Sequence, residues 1–548
     1  MQAPLAGVTP RNLFREAMAG VTLLAIAVPL NIGYAQIAGL PPTAGLYALV
    51  LPTIAYTLLV SSRQVVASPD AAAAALVASS IGGLAVAGSE DYLTLAFAQA
   101  IIGGVLFLLL AVFKLGFLAN FLSKPILVGF VGGLALDILV SQVAKMLGVR
   151  IDSGGEFVDK LVGLVSGLDE VNGWSVVIAA VSVVILTVGR RIARAVPWAL
   201  IVLVLATAVV AWASLVDQGV DVLGEVDAGP PTLTWPVLEW TTWLMLVPSA
   251  VALTMITTAE GLLISRSYAE ERGYRTNPNR DLAAFGMANI ASGASGGFTV
   301  GSSTSRTAAM DQIGSRTQLP SLVMAAGVLL LLVFGTAILE GIPSPAIGAI
   351  VAVAVVPLLG IGDFARLWRA DRVEFGIGAV CFLVTVLVGS IPGIFVAFVF
   401  ALINLARRAA NPAIDVLGTT GEPGTSLLVA APRGEITAPG VIVIRVAAPL
   451  FFANGTVFAD AVERAVRSEP DAGVRYVVID MEAVTDVDVT ASEALAVLER
   501  WLDDHGVALA FSRVRADARA RLDHFGLIGD RPVFETNRDA IAALATDS

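Results

Sequence analysis

Two short stretches of this 548-residue chain combine small, hydroxylated residues with an isolated charge, a chemistry suited to holding an anion without covalent reaction. The first runs Ser61-Ser62-Arg63-Gln64-Val65-Val66-Ala67-Ser68-Pro69-Asp70 and continues into five alanines from Ala71. Serine before proline is an N-cap and N1 pair, so a helix is expected to begin near Pro69, with Asp70 at its second position in a structural N-terminal role. The second runs from Gly293 to Gly301 and leads into Ser302-Ser303-Thr304-Ser305-Arg306-Thr307. Both place irregular small-residue backbone ahead of a short helix inside apolar sequence. A helix start of this kind offers free N–H groups and the positive end of a dipole, and Arg306 adds a guanidinium one turn in. The bland alternatives are ordinary loops with small-residue packing, and an ion pair of Arg306 with Glu260 or Asp70. Glu260 is the other unexpected charge, within Thr254-Met-Ile-Thr-Thr-Ala-Glu260-Gly-Leu-Leu-Ile. A carboxylate at that depth costs roughly 2.5–3.5 kcal/mol on insertion scales, so it faces a cavity or a partner. Low dielectric favours the neutral form of a carboxylate, which makes Glu260 the candidate proton carrier; a carboxylate bonded to a neighbouring helix is the structural alternative. Asp137 is buried by pattern and carries no assigned role.

The elements that must position these residues are membrane spans. Apolar residues make up 56% of the chain and charged ones 14%, with a mean hydropathy of +0.82, against about 25% charged in a typical soluble domain. Lipid is therefore the expected solvent. Arg11 and Arg15 precede a run that leads straight into further apolar segments, the pattern of a first span rather than a cleaved signal. Apolar segments fall near residues 16–38, 43–60, 69–87, 92–113, 125–148, 174–189, 196–216, 242–265, 281–297, 302–313, 319–339, 345–361, 373–389 and 391–406, fourteen in all. Arg190, Arg191 and Arg194 follow segment 6; Arg266, Arg272, Arg275 and Arg280 follow segment 8; Arg366, Arg369 and Arg372 follow segment 12; Arg407 and Arg408 follow segment 14. Asp217 to Trp240, by contrast, holds five acids and no Lys or Arg. Even-numbered segments thus end inside and both termini are expected in the cytoplasm. The interrupted segments 3 and 10 occupy matching positions in two halves of seven, which points to an inverted-repeat transporter with its site at the repeat interface.

Residues 1–410 form the expected membrane domain, 411–439 a Pro/Gly-rich linker, and 440–548 a small α/β layer. In the last, Val441–Val446 and Tyr476–Asp480 read as strands, Ala459–Arg467 and Thr490–Asp504 as amphipathic helices. The only histidines, His505 and His524, lie beyond the apolar region, and the single cysteine, Cys381, lies inside it. With no Ser-His-Asp set, metal-ligand cluster, Walker motif or basic nucleic-acid surface, no enzyme activity, cofactor, metal or nucleic-acid partner is expected.

Gly39-Leu-Pro-Pro-Thr-Ala-Gly-Leu-Tyr47, continuing through Tyr56 to Ser61-Ser62-Arg63, resembles the signature of the sulfate permease family, which includes prestin and bacterial bicarbonate, sulfate and dicarboxylate carriers. Thr258-Ala-Glu260-Gly-Leu-Leu, Ala288-Asn-Ile-Ala-Ser-Gly293, Ser305-Arg306-Thr307-Ala308 and Arg316-Thr317-Gln318 continue the resemblance in order. Pro449-Leu-Phe-Phe-Ala-Asn454 and Val484-Thr-Asp-Val-Asp488-Val-Thr490 resemble a STAS domain. The resemblance implies core and gate domains drawn from both repeats, an elevator-like movement of the core, a homodimer, and an anion held between segments 3 and 10. Carried over, Tyr34 lines the pocket, Ala71 and its neighbours offer backbone amides, and Ser303, Ser305 and Arg306 contribute from segment 10. Glu260 falls where proton-coupled bacterial members carry a glutamate. This chain has Pro29-Leu30 where many members have Pro-Gln, with Asn31 adjacent, and Ser68-Pro69 where Gly-Pro is common. Thr490 stands where related STAS proteins carry a phosphorylated serine; a helix N-cap is its structural alternative.

The expected function is secondary active transport of a small anion, foremost proton-coupled sulfate symport across the cell membrane. Bicarbonate with sodium or proton coupling, and a C4-dicarboxylate, fit the same groups. A nucleobase fits less well because of Arg306 and the C-terminal domain, and a channel-like or sensor protein signalling through that domain is the reading from a different class.

Overall fold

The computed structural model describes all residues except 1–6, 11, 117–123, 152–155, 194–195, 225, 419–428, 431–435, 469–472 and 546–548. Arg11, Arg194, Glu225 and much of the expected linker therefore lie outside the described residues. The chain divides into two compact units, Met1–Ala401 and Leu402–Ser548, ahead of the boundary expected at residue 410.

The first unit is helical. Its first half holds α1 (Leu13–Ile37), α2 (Pro42–Tyr47), α3 (Leu51–Leu59), β1 (Ala67–Ser68), α4 (Ala71–Ile81), α5 (Glu90–Val112), α6 (Lys124–Leu147), α7 (Phe157–Ser166), α8 (Gly173–Ile192) and α9 (Trp198–Trp212). The second half holds α10 (Trp240–Arg272), α11 (Pro278–Gly293), β2 (Gly301–Ser302), α12 (Thr304–Ile313), α13 (Leu319–Phe334), α14 (Thr336–Glu340), α15 (Ser344–Val355), α16 (Ile361–Ala370), α17 (Arg372–Leu387) and the start of α18 (Ser390–Ala410), whose last residues are assigned to the second unit. All fourteen expected segments have a counterpart. Among the described residues, six helical stretches are long and apolar enough to cross a bilayer by length and composition alone. Two short helices, α7 and α16, were not expected. Arg266 and Arg272 stand on α10, and Arg366 and Arg369 on α16, rather than in loops.

The packing shows the repeat. Shifting each segment by seven exchanges α1 with α10, α5 with α13, α6 with α15 and α8 with α17. Under that exchange α1 against α13 becomes α10 against α5, and α6 against α17 becomes α15 against α8; all four pairs pack together. Within this one compact unit the core expected from the resemblance corresponds to α1 to α5 with α10 to α13, and the gate to α6 to α9 with α15 to α17. Glycine permits the closest approach in the core: a Cβ on Gly104 of α5 would lie 2.7 Å from the Gly286 carbonyl oxygen of α11, and one on Gly286 2.9 Å from that of Gly104. With lipid on all sides, such backbone proximity replaces hydrophobic burial as the source of helix association.

The second unit is a six-stranded sheet in the order β4-β3-β5-β6-β7-β8, made of β3 (Ile414–Gly418), β4 (Val429–Ala430), β5 (Val441–Val446), β6 (Tyr476–Asp480), β7 (Ala508–Ser512) and β8 (Val533–Phe534). Strands β5 to β8 are parallel and β3 is antiparallel to β5. The stretch expected as linker thus contributes two strands, the edge strand β4 and, inside it, β3: Leu417 pairs with Ala430, Ile414 with Val446 and Val416 with Ile444. Helices α19 (Gly455–Arg467), α20 (Val489–Asp504), α21 (Ala516–His524) and α22 (Asn537–Leu544) complete the layer. Asp480, fully buried at the end of β6, accepts from Arg445 Nε at 2.8 Å and Asn537 Nδ2 at 2.9 Å, so its charge is matched within the sheet.

Candidate functional site

The site grows from a break in two segments. Residues 65–68 and 299–302 are extended rather than helical, and Ala67 pairs with Ser302 and Ser68 with Gly301 in antiparallel register. Because the strands run antiparallel, α4 and α12 leave the crossing in opposite directions and their starts lie side by side. Extended backbone within a membrane must find all its hydrogen bonds in protein, and neighbouring side chains supply them. Asn289 on α11 clasps Val300, its Nδ2 donating to the carbonyl at 2.8 Å and its Oδ1 accepting from the N–H at 2.9 Å. Ser292 Oγ donates to Phe298 O at 2.6 Å. Thr307 Oγ1 accepts from Val66 N at 3.0 Å, and Gln318 Nε2 donates to Ser62 O and Val65 O. These residues were not among the expected site residues. The signal that could have found them was present: an Asn and a Ser three apart on one helix face, directly ahead of a Gly-rich break.

Arg306 sits at the centre and is 1% exposed. Its Nε donates to Ser303 Oγ at 2.8 Å and its Nη2 donates to the Pro69 carbonyl, so one guanidinium ties the two helix starts together. These bonds go to a hydroxyl and a carbonyl rather than to a carboxylate, and among the described residues neither of the alternative ion pairs, with Glu260 or with Asp70, is formed. The guanidinium lies over the Tyr34 ring, 5.7 Å from its centroid. Nη1 is buried with no hydrogen-bond partner, as are the hydroxyls of Ser68, Ser302 and Thr258. Such orphans are rare in native interiors, and a donor and hydroxyls together suit an anion.

The two helix starts are not equivalent. The α4 helix begins at Ala71, not Pro69, and its N-cap is Asp70 rather than Ser68. Ser68 is held in the strand crossing and cannot turn into a cap. Asp70 Oδ1 accepts from Ala73 N at 2.7 Å, so the carboxylate already occupies part of the amide array that Ala71 and its neighbours were expected to offer. At α12 the N-cap is Ser303, whose Oγ accepts from Arg306 N at 3.4 Å, and Thr304 and Ser305 are exposed. The α12 start is therefore the more open of the two. Glu260, half-buried on α10, lies close enough to Asp70 for their charges to interact. Asn31 is fully buried, but its Nδ2 bonds back to Ala27 O at 2.8 Å, one turn earlier on α1. Asp137 finds a partner in Lys160 of α7, at 2.8 Å.

In the second unit Thr490 is the second residue of α20 and exposed. The cap there is Asp488, which accepts from Ala491 N at 2.8 Å and from Phe452 N at 2.8 Å. The N-cap alternative for Thr490 is thereby replaced.

Two broken helices crossing inside an inverted repeat, with a lone arginine between their starts, define a polytopic membrane protein of the broken-helix transporter type. The sequence pattern of the sulfate permease family matches residues 13–381 and that of the STAS domain residues 436–540. The chain belongs to the sulfate permease family. It is 34% identical over 538 residues to a probable sulfate transporter of Mycobacterium tuberculosis, covering 97% of this chain and 95% of that one. It is 28% identical over 545 residues to the chloroplastic sulfate transporter 4.1 of Arabidopsis thaliana, covering 96% and 79%. Its fold superposes on the murine solute carrier 26 family member A9 anion transporter in the inward-facing state with a TM-score of 0.88, at 22% identity over 98% of this chain and 92% of that one. The transmembrane domain of a cyanobacterial bicarbonate transporter matches with a TM-score of 0.63, at 24% identity over 71% and 98%.

Proposed function

We propose that this protein is a secondary carrier of a small anion, sulfate foremost, coupled to protons. One observation carries the anion assignment: Arg306 Nη1 is buried without a partner, between two helix starts and beside orphaned hydroxyls of Ser68 and Ser302. Sulfate is favoured because the relatives that align over nearly the whole chain bear the names of sulfate transporters. The anion sits at the α12 start, contacting Arg306, Ser305 and Tyr34, since Asp70 holds the amides of α4.

Charge balance supports proton coupling. With Asp70 and Glu260 ionised and Arg306 positive, the site is net negative and repels an entering anion. A proton on Glu260 leaves Asp70 and Arg306 to cancel. Proton and anion then favour one another through simple electrostatics, and the coupling is reciprocal. In this reading the protein is a homodimer in the cell membrane with both termini and the STAS domain in the cytoplasm, and that domain is regulatory, with Thr490 an exposed candidate phosphoacceptor.

The test is uptake of labelled sulfate, bicarbonate and succinate into proteoliposomes under imposed proton or sodium gradients. Proton-driven sulfate accumulation is expected. Accumulation of bicarbonate or succinate alone, or dependence on sodium alone, overturns the sulfate–proton assignment, and counterflow that fails while flux persists indicates a channel.

A further inference from the structure

A second polar cluster lies where the core meets the gate, away from the Arg306 site. Ala75 and Ala78 of α4 form one wall of a small cavity, with Gln36 from the end of α1. The opposite wall is Asp137, Gln142 and Lys145 of α6 and Lys160 of α7. At 1.5 Å per residue, Ala75 and Ala78 stand ~6 and ~10 Å along α4 from its start. The cluster is therefore one to two turns beyond the Arg306 site, in the direction α4 runs.

Its chemistry is unusual for this depth. Lys160, with a side chain 7% exposed, is neutralised by Asp137. Lys145 has no such counter-charge: its Nζ donates to the neutral Gln36 Oε1 at 2.9 Å. One positive charge is left in excess. Beside it, Gln142 is fully buried, and neither its Nε2 nor its Oε1 has a hydrogen-bond partner. A cation bonded only to a neutral amide, next to an amide with a free N–H donor, has the composition of an anion site. The cavity is too small for sulfate in this conformation, and its two walls stand on helices of the expected core (α1, α4) and the expected gate (α6, α7). Separating them breaks the Lys145–Gln36 bond and frees both the ammonium and the Gln142 amide.

We propose that Lys145 and Gln142 form a second anion station, closed here, through which the anion passes between the Arg306 site and the membrane face toward which α4 runs. Lys145 exchanges Gln36 for the anion as the walls part, and Asp137 keeps Lys160 from trapping it. With the termini inside, this is the outer face. The inference rests on the carrier function proposed above.

The experiment compares labelled sulfate uptake in intact cells and in inverted membrane vesicles, so that half-saturation is read from each face. Lys145→Gln is expected to raise the half-saturating sulfate concentration about tenfold on the outer face and leave the inner face unchanged. Gln142→Leu shifts it in the same direction, and Lys145→Arg restores it. A structural defect would instead lower the amount of active protein equally from both faces. Equal shifts at both faces, or none in Lys145→Gln, overturn the second station while leaving the carrier function standing. No sulfate, bicarbonate or succinate uptake by the unaltered protein sinks both together.

Discussion

Replacing Arg306 separates two jobs that one guanidinium performs. Nε and Nη2 hold the helix starts through Ser303 Oγ and the Pro69 carbonyl, while Nη1 is free for a ligand. Lysine keeps the charge, but a single ammonium on a flexible stem cannot reproduce a planar fork with three directions. Losing one charge-assisted hydrogen bond to the anion removes about 1.5–3 kcal/mol, which raises the half-saturating concentration by a factor of roughly 10 to 150. Methionine removes the charge as well and leaves the buried Pro69 carbonyl unsatisfied, a stability cost of about 1–3 kcal/mol. The assay is sulfate uptake into proteoliposomes over a concentration series, paired with thermal unfolding of the purified protein. Arg306→Lys is expected to melt close to the unaltered protein with weakened half-saturation, and Arg306→Met to melt lower with uptake lost. Uptake by Arg306→Met at normal half-saturation would refute the placement of the anion at Nη1.

Other substitutions probe the neighbouring groups. Glu260→Gln should abolish the dependence of uptake on a proton gradient while the protein remains folded; a gradient response of normal size removes Glu260 from the coupling. Asp70→Asn keeps a residue that caps helices well but deletes a negative charge beside the anion, so half-saturation for sulfate should fall about tenfold, an effect of ~1.4 kcal/mol; a weakened half-saturation would show that Asp70 assists binding instead. Asn289→Leu leaves the Val300 N–H and carbonyl buried without partners, at about 1–3 kcal/mol each, and is expected to lower the melting temperature sharply; unchanged melting would mean that the β2 segment does not depend on this clasp.

Much of the architecture was legible because lipid imposes a coarse, periodic demand. Long apolar runs separated by arginines marked the spans, and the irregular stretches before Ala71 and Thr304 marked the breaks. The α/β layer showed itself in Val441–Val446 and Tyr476–Asp480, both found as strands with those bounds. What escaped depended on partners distant in sequence. Strand β3 forms through pairing with β5 on one side and the short β4 on the other, and β5 lies outside the Asn411–Gly440 stretch. The cap of α4 was misplaced for the same reason: Ser68-Pro69 is a good local start signal, but pairing with Gly301, more than 230 residues away, holds Ser68 extended and passes the cap to Asp70. Lys160, the partner of Asp137, lies on a short amphipathic helix that apolar-run reading skips.

The residues that carry the family resemblance turn out to do mostly structural work. Asn289 and Ser292 satisfy the backbone ahead of β2, and Gln318 satisfies that ahead of β1. Thr317 and Ser315 donate to the buried Glu16 carboxylate at 2.9 and 2.6 Å and so fix the end of α12 to the start of α1. These motifs are what allow extended backbone to exist within a bilayer at all, and any chain using two crossed strands to aim two helix starts at a ligand needs equivalents of them. They specify the scaffold and not the solute. In the function proposed above, choice of solute rests on far fewer groups: the free Nη1 of Arg306, the face of Tyr34, the open start of α12, and the two acids whose charge is offset before an anion enters. Apart from Arg306, whose Nε and Nη2 also hold the helix starts, substitutions at these positions should therefore alter selectivity and coupling with little effect on folding, and substitutions at the motif residues the reverse. A set of variants scored for both melting temperature and relative uptake of sulfate, bicarbonate and succinate should fall into two separate groups along those lines.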